Sequence, residues 1–262
     1  MRVGGATFPN FQFGQIEEHP PFVHITKQLP AICGLGALCD TPTCDGTQTL
    51  LQQLFDKKLI SRRIFSIYLG PNDPDAVGTL LIGGKDLAKR QGTVYKRNMV
   101  DIDDPEAQQQ PNRMKILGHR LEDGGKNTDY PASGDDNVRL WDSGSPRWDF
   151  PTDVFPAIVQ HFGLGKDTDP NVGRYEVDCK YRTPGPDRIV TLFEDGAEVE
   201  VPYHILPTKL SSGKCQIDVG SGAGLMGDAF LRGVYATFDY DKLTIEFAAA
   251  KYTKNTNIVK VD

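Results

Sequence analysis

No stretch of this chain approaches the ~20 consecutive apolar residues that a membrane-spanning helix needs, so no membrane span is expected. The opening residues, MRVGGATFPNFQFG, hold one Arg but no apolar run of the ~7–15 residues of a secretory signal, and the sequence contains no N-x-S/T sequon. Basic residues are in the minority, 29 Lys and Arg against 35 Asp and Glu, for a formal net charge of −6 with the two signs mixed along the chain. A nucleic-acid surface would show clustered Lys and Arg, so no nucleic-acid partner is expected. There is no C-x-x-C pair and no His beside two cysteines, which removes the usual zinc patterns. No metal and no cofactor is expected. Of the five His, His19 and His24 stand in a Pro-bearing loop segment and His161 at the end of a helix, where its expected role is to complement the helix C-terminus. No Ser-His-Asp arrangement has a supporting motif.

What is present favours a β protein. At 262 residues and 39% hydrophobic, the chain can bury a core as one large all-β domain or as two lobes. Its 27 Gly and 18 Pro are dispersed, which suits short strands joined by turns. IFSIYLG (64–70) and TLLIGG (79–84) read as strands. RIVTLFEDGAEVEVP (188–202) reads as a hairpin turning at Asp195-Gly196, a pair that tolerates positive φ. In its second arm Ala197, Val199 and Val201 alternate with Glu198 and Glu200. Residues 233–248 give a second hairpin, turning between Asp239 and Lys242. Two helices are expected. Residues 47–60 place Leu50, Leu51, Leu54, Phe55 and Leu59 on one face, and residues 152–162 do the same with Val154, Phe155, Ile158, Val159 and Phe162. Thr152 is the expected cap of the second and Gly163 its end. Five cysteines are present. Cys39 and Cys44 bracket a short loop, and Cys179 and Cys215 lie apart with a strand-rich segment between them. The expected count is two disulfides with Cys33 left over, and five reduced thiols is the alternative.

One stretch stands out. RLWDSGSPRWDFP (139–151) ends a strand on Leu140 and Trp141 and turns at once through Asp142, Ser143, Gly144 and Ser145. Gly144 permits a sharp turn, and the hydroxyls of Ser143 and Ser145 are within reach of the carboxylate or the nearby backbone. A carboxylate fixed in this way at a strand end suits acid/base work, although a lone D-S-G-S is more often an ordinary turn.

The motif has company. WDSGS followed by FPTDVFPAIVQHFG resembles the second active-site loop of pepsin-like aspartic proteases. GLMGDAFLRGVYATFDYDKLTIEFA resembles that family's C-terminal apolar-apolar-Gly-Asp-x-Phe-Leu-Arg motif, with Leu225-Met226-Gly227 as the strand that threads behind the catalytic loop. LLQQLFDKKLISRRIFSIYL with GTLLIGGKD resembles the inter-lobe region, VGGATFPNFQFG a strand pair late in the N-terminal lobe, and AKYTKNTNIVKV the end of fungal secreted or cell-surface members. The resemblance implies an all-β acid-protease fold with a few short helices, a complete C-terminal lobe and a partial N-terminal lobe. It implies an aspartic endopeptidase that acts through two carboxylates sharing a proton around a water. Asp142 would be one of them, Ser143 part of the brace between the loops, and Ser145 an orienting group. Cys179 and Cys215 match the positions of the C-terminal-lobe disulfide. A pairing of Cys39 with Cys44 stays open.

The departures from the family pattern set the remaining expectations. The first D-T-G and the flap are absent from the sequence. The nearest substitute, Asp40-Thr41-Pro42-Thr43, has Pro where the turn needs Gly. PAICGLG (30–36) lacks the usual acidic residue and puts Cys33 at an apolar position. Arg147 follows the active-site turn, placed either to act on the charge of Asp142 or to point into solvent. The chain is therefore expected to be an inactive, N-terminally shortened endopeptidase, with a non-catalytic peptide- or protein-binding module as the alternative. The expected segments are a partial N-terminal lobe (1–85), an inter-lobe region and start of the C-terminal lobe (86–137), and the main part of that lobe (138–262). The partner is a peptide or protein substrate, and a homodimer is not expected. The resemblance implies a secreted, cell-surface or vacuolar location.

Overall fold

The computed structural model describes residues 2–3, 6–7, 9–13, 33–36, 48–73, 75–100, 112–165, 167–222 and 224–262. Cys39, Cys44, the Asp40–Thr43 segment, His19 and His24 lie outside the described residues. Among the described residues the chain forms six β-sheets and three short helices. Near its start, Arg2–Val3 pairs antiparallel with Ala6–Thr7.

Two five-stranded sheets carry most of the structure. The first runs in the order Val219–Ser221, Trp148–Phe150, Leu225–Met226, Val138–Trp141, Arg113–Lys115. The second runs Thr79–Ile82, Ile64–Tyr68, Val234–Asp239, Thr244–Ala250, Arg90–Asn98, so strands distant in sequence are neighbours in it. All five residues of Ile64–Tyr68 and all six of Val234–Asp239 are buried. Both elements are therefore covered on both faces, as their mostly apolar and aromatic character favours. The polar side chains in these strands meet each other: the Ser66 and Thr237 hydroxyls lie 2.9 Å apart across the pair. Glu246 holds Lys85 and Arg90, each at 2.7 Å.

The expected hairpin over 188–202 is present as Arg188–Leu192 paired with Glu198–Pro202. Asp195 and Gly196 adopt φ of 54° and 70° at its turn. Ala197, Val199 and Val201 are buried and Glu200 is exposed, as the alternation dictates. Val234–Asp239 and Thr244–Ala250 form the second expected hairpin.

The helices are shorter than their periodicity suggests. α1 spans Leu50–Asp56, capped by the Thr49 hydroxyl, which accepts from Gln52 N. Lys58 then turns to φ 57°, so Leu59 leaves the helix. Leu59 and Phe55 are exposed while Leu50, Leu51 and Leu54 are buried. α2 spans Phe155–His161. Thr152 does not cap it. Residues 152–154 form a turn, and the amides of Val154 and Phe155 donate to Pro151 O, which is compatible with Pro156 in the first turn. Gly163, at φ 73°, ends it as expected. α3 spans Asp228–Leu231.

Among the described residues one large core cluster gathers many aromatic rings, with two small satellites around Leu50 and Leu54 and around Tyr68, Tyr235 and Ala250. Trp141 meets Phe230 at 4.9 Å and Phe247 at 5.4 Å, and Trp148 meets Phe150 at 4.5 Å and Phe230 at 5.2 Å. Cys179 and Cys215 form a disulfide, and Cys33 is a free, exposed thiol.

Candidate active site

The carboxylate of Asp142 is positioned by the strands on either side of it. Val138–Trp141 leads into the turn and Trp148–Phe150 leads out. Both Trp side chains are fully buried and both rings pack on Phe230 of α3. Two large apolar anchors thus pin the arms of the turn, and the polar residues between them are forced to the surface. Ser143 and Gly144 are exposed, and Asp142 and Ser145 are half-buried.

Between these arms runs Leu225–Met226. It pairs parallel with the incoming arm, Leu140 opposite Leu225 and Trp141 opposite Met226. It pairs antiparallel with the outgoing arm, Trp148 opposite Met226. The backbone contacts continue past the strand. Asp142 N donates to Met226 O at 3.2 Å, Gly227 N to Arg147 O at 2.9 Å, Asp228 N to Ser145 O at 2.8 Å, and Ala229 N to Pro146 O at 3.2 Å. The loop is therefore bonded along its length to a second segment 80 to 84 residues away in sequence. Gly227 is required there: a Cβ at this position would sit 2.2 Å from Ser145 O and 2.5 Å from Arg147 O, closer than any side chain tolerates.

Within the turn, Gly144 N donates to Asp142 Oδ1 at 2.8 Å, which fixes the carboxylate in one orientation. Ser145 N donates to Asp142 O at 3.2 Å. The Ser145 hydroxyl accepts from Arg147 N at 3.3 Å, so it braces the descending arm. Arg147 does neither of the things open to it from sequence. Its guanidinium turns to Asp149, with Nε 2.6 Å from Oδ1 and Nη2 3.0 Å from Oδ2. Asp149 is fully buried in the outgoing strand, and a carboxylate there demands a counter-charge. That demand, not solvent or Asp142, sets the direction of Arg147.

A second carboxylate stands near. Asp228 begins α3, and burial holds its carboxyl above the usual range, opposed by Arg232 and reinforced by the charges of Asp218 and Asp142. The sequence motif contains Asp228 but gives it no role, and its approach to Asp142 follows from the threaded strand. Asp218 is engaged by Arg174 at 2.7 Å.

Sequence reading assigned His161 to the helix end alone. In the structure its Nδ1 lies 3.0 Å from Asp123 Oδ2, and its ring stacks on Tyr203 at 3.8 Å. One ligand atom from each of Asp123, His161 and Asp187 lies within 4.8 Å of the others. No spacing rule links positions 123, 161 and 187, so the sequence carried no signal for this cluster.

Among the described residues, no helix is long and apolar enough to cross a membrane, which says nothing of β-barrels.

Comparison with known proteins agrees with this geometry. The model of the family described as eukaryotic aspartyl protease matches residues 1–250. The chain is 29% identical, over 266 aligned positions, to an acid protease of Saccharomycopsis fibuligera, covering 96% of this chain and 63% of that protein. It is 29% identical over 248 positions to secreted aspartic protease 1 of Candida albicans, covering 90% of this chain and 58% of that protein. It is 28% identical over 225 positions to Rhizopuspepsin-1 of Rhizopus niveus, covering 85% and 53%. The chain therefore spans less than two thirds of the length of these relatives. Its mostly β architecture with three short helices is that of the pepsin-like fold. With a family match that takes in all but the last strand, the chain belongs to the eukaryotic aspartyl protease family.

Proposed function

We propose that this chain supplies one half of an aspartic endopeptidase site, with Asp142 as its carboxylate. The observation that carries the reading is the Leu225–Met226 strand lying between the two arms of the Asp142 turn. An ordinary surface Asp turn needs no such brace. A site that must hold a carboxylate in a fixed pose opposite a second one does. In this mechanism two carboxylates share one proton because like charges a few ångströms apart do not both ionise readily. The ionised one takes a proton from a water as it attacks the peptide carbonyl, and the protonated one donates toward the substrate. Ser143 is exposed on the turn, open to a brace between two such loops, and Ser145 steadies the turn through Arg147 N.

The second carboxylate has no counterpart in a D-[ST]-G elsewhere in this sequence. Asp228 is a poor substitute, since it stands at the start of α3 and in no D-[ST]-G turn. The chain by itself is therefore expected not to cleave peptides. The same reading assigns residues 138–262 to the lobe that bears Asp142 and residues 1–85 to part of the opposing lobe. The Cys179–Cys215 disulfide suits an oxidising compartment, and a relative is named as secreted.

The test is complementation. The chain alone, assayed at acid pH on an unfolded protein substrate, is expected to show no cleavage. Joined to an N-terminal segment that carries a D-T-G turn of the pepsin-like type, it is expected to gain cleavage that Asp142→Asn abolishes. Cleavage that survives Asp142→Asn would remove Asp142 from the site. A well-folded fusion that binds peptide but never cleaves it would favour the binding module.

A further inference from the structure

We propose that Asp123, His161 and Asp187 bind a divalent first-row metal ion, with Zn2+ the best match, and that the ion clamps three elements of the fold together. The donors come from separate places. Asp123 sits at the tight turn completed by Gly124 and Gly125, whose φ values are 56° and 75°. His161 ends α2. Asp187 immediately precedes the Arg188–Leu192 strand, and its Oδ1 accepts from Gly124 N at 3.0 Å, which ties the two acidic residues to one corner. The site is independent of the chemistry assigned to Asp142.

The donor set argues for the metal type. One imidazole with two carboxylates suits Zn2+ and its neighbours, whereas Mg2+ and Ca2+ favour oxygen alone. The ligand atoms lie within 4.8 Å of one another. His161 Nδ1 and Asp123 Oδ2 already lie 3.0 Å apart, and metal–ligand bonds of about 2.0–2.2 Å require the wider separations in the cluster to close by roughly 1 Å. Arg188, the cation adjacent in sequence, does not neutralise the pair of acids, since it holds Glu122 at 2.6 Å and Glu200 at 3.2 Å.

A second observation points to a ligand. Tyr203 is 2% exposed, and among the described residues its hydroxyl has no hydrogen-bond partner. Its ring lies flat on His161, 15° from parallel, and its backbone N donates to Asp187 O at 3.2 Å. Burial drives the phenol above its ordinary range, and the charges of Asp123, Tyr130 and Asp187 add to the effect. The hydroxyl thus lies within the field of both carboxylates. Leaving it unpaired costs about 1–3 kcal/mol. A water completing the coordination of the ion would give it a partner.

The experiment uses the full chain, stripped with a chelator and titrated with ZnCl2 and, separately, with Co2+. The expected result is one ion per chain, a rise in Tm with Zn2+, and a Co2+ spectrum of tetrahedral nitrogen–oxygen type lacking a thiolate charge-transfer band. His161→Gln and Asp123→Asn are each expected to weaken Zn2+ binding at least about tenfold and to remove the Tm rise. Asp123→Asn changes a half-exposed side chain and keeps the fold, so it decides the matter if His161→Gln does not fold. Wild-type chain that retains no Zn2+, or binding that survives both substitutions or carries a thiolate band, would overturn the proposal.

Discussion

At the scale of single residues, two buried groups give firm expectations. Asp149 has no exposure and depends on Arg147 for charge balance. Arg147→Ala should destabilise the protein by about 3–5 kcal/mol, since it strands a buried carboxylate, while Arg147→Leu combined with Asp149→Leu should recover most of that loss. A double-mutant cycle in urea measures it, and a single-mutant loss below about 1 kcal/mol would mean that solvent reaches Asp149. The second group is His119, fully buried with its ring edge-on to Trp148 and Phe150. Burial first, and the Arg139 charge second, push its pKa down to about 3. Below pH 6.5 the unfolded chain takes up a proton that the native state refuses, so stability falls with falling pH by about 1.4 kcal/mol per unit until the folded pKa is reached. His204 acts in the same direction, through burial and then Arg182. The carboxylates of Glu122 and Glu246, lowered by their Arg and Lys partners against the effect of burial, begin to contribute only as pH drops through their own range. Urea midpoints between neutral pH and pH 5 should therefore fall steadily, and His119→Phe should flatten much of the slope. An unchanged slope would assign the effect elsewhere.

At the scale of elements, the decisive piece is also among the shortest. Leu225–Met226 has two residues, yet it fixes both arms of the Asp142 turn. Gly227→Ala forces a Cβ into two backbone carbonyls. Neither carbonyl belongs to a flexible side chain, so the loop itself must move. The expected cost is about 3 kcal/mol, read as a lower urea midpoint, with loss of the Asp142 geometry. A neutral result would show that the loop has slack. The elements that sequence resolved well are those specified by neighbours. Val199 and Val201 alternate with Glu198 and Glu200 beside an Asp-Gly turn, and the 188–202 hairpin follows. The helices were legible in existence but not in extent. Apolar spacing continues to Leu59 and a polar cap is available at Thr152, but Lys58 N to Phe55 O and Leu59 N to Leu54 O close the first helix, and Val154 N and Phe155 N to Pro151 O open the second; these are backbone turns that apolar spacing does not encode.

At the scale of the whole molecule, the Val234–Ala250 hairpin lies between Ile64–Tyr68 and Arg90–Asn98, and Met114, Ile116 and Leu121 join the same core as the aromatic rings of residues 138–262. The segment 138–262 contains the Asp142 turn and its brace but not these neighbours. Expressed alone, it is expected to lack a cooperative unfolding transition by circular dichroism, because two strands buried on both faces would each lose a pairing edge. A sharp transition in that fragment would show that it carries a sufficient core of its own.

The sequence by itself determined the family resemblance, the carboxylate at the strand end, the hairpins and the motif at Leu225–Gly227. Each rests on adjacent residues or on a short period, and local sterics act identically wherever the segment lies. Only the tertiary structure decided that Leu225–Met226 runs between the arms of the turn, that Arg147 answers Asp149 and leaves Asp142 alone, and that Asp123, His161 and Asp187 converge. The threading and the three-residue convergence are contacts between segments far apart in sequence, and the turn of Arg147 toward its near neighbour follows from the burial of Asp149. The hydrophobic effect that drives core burial is non-directional, so which polar groups end up facing one another is settled by how the core packs and not by their spacing along the chain.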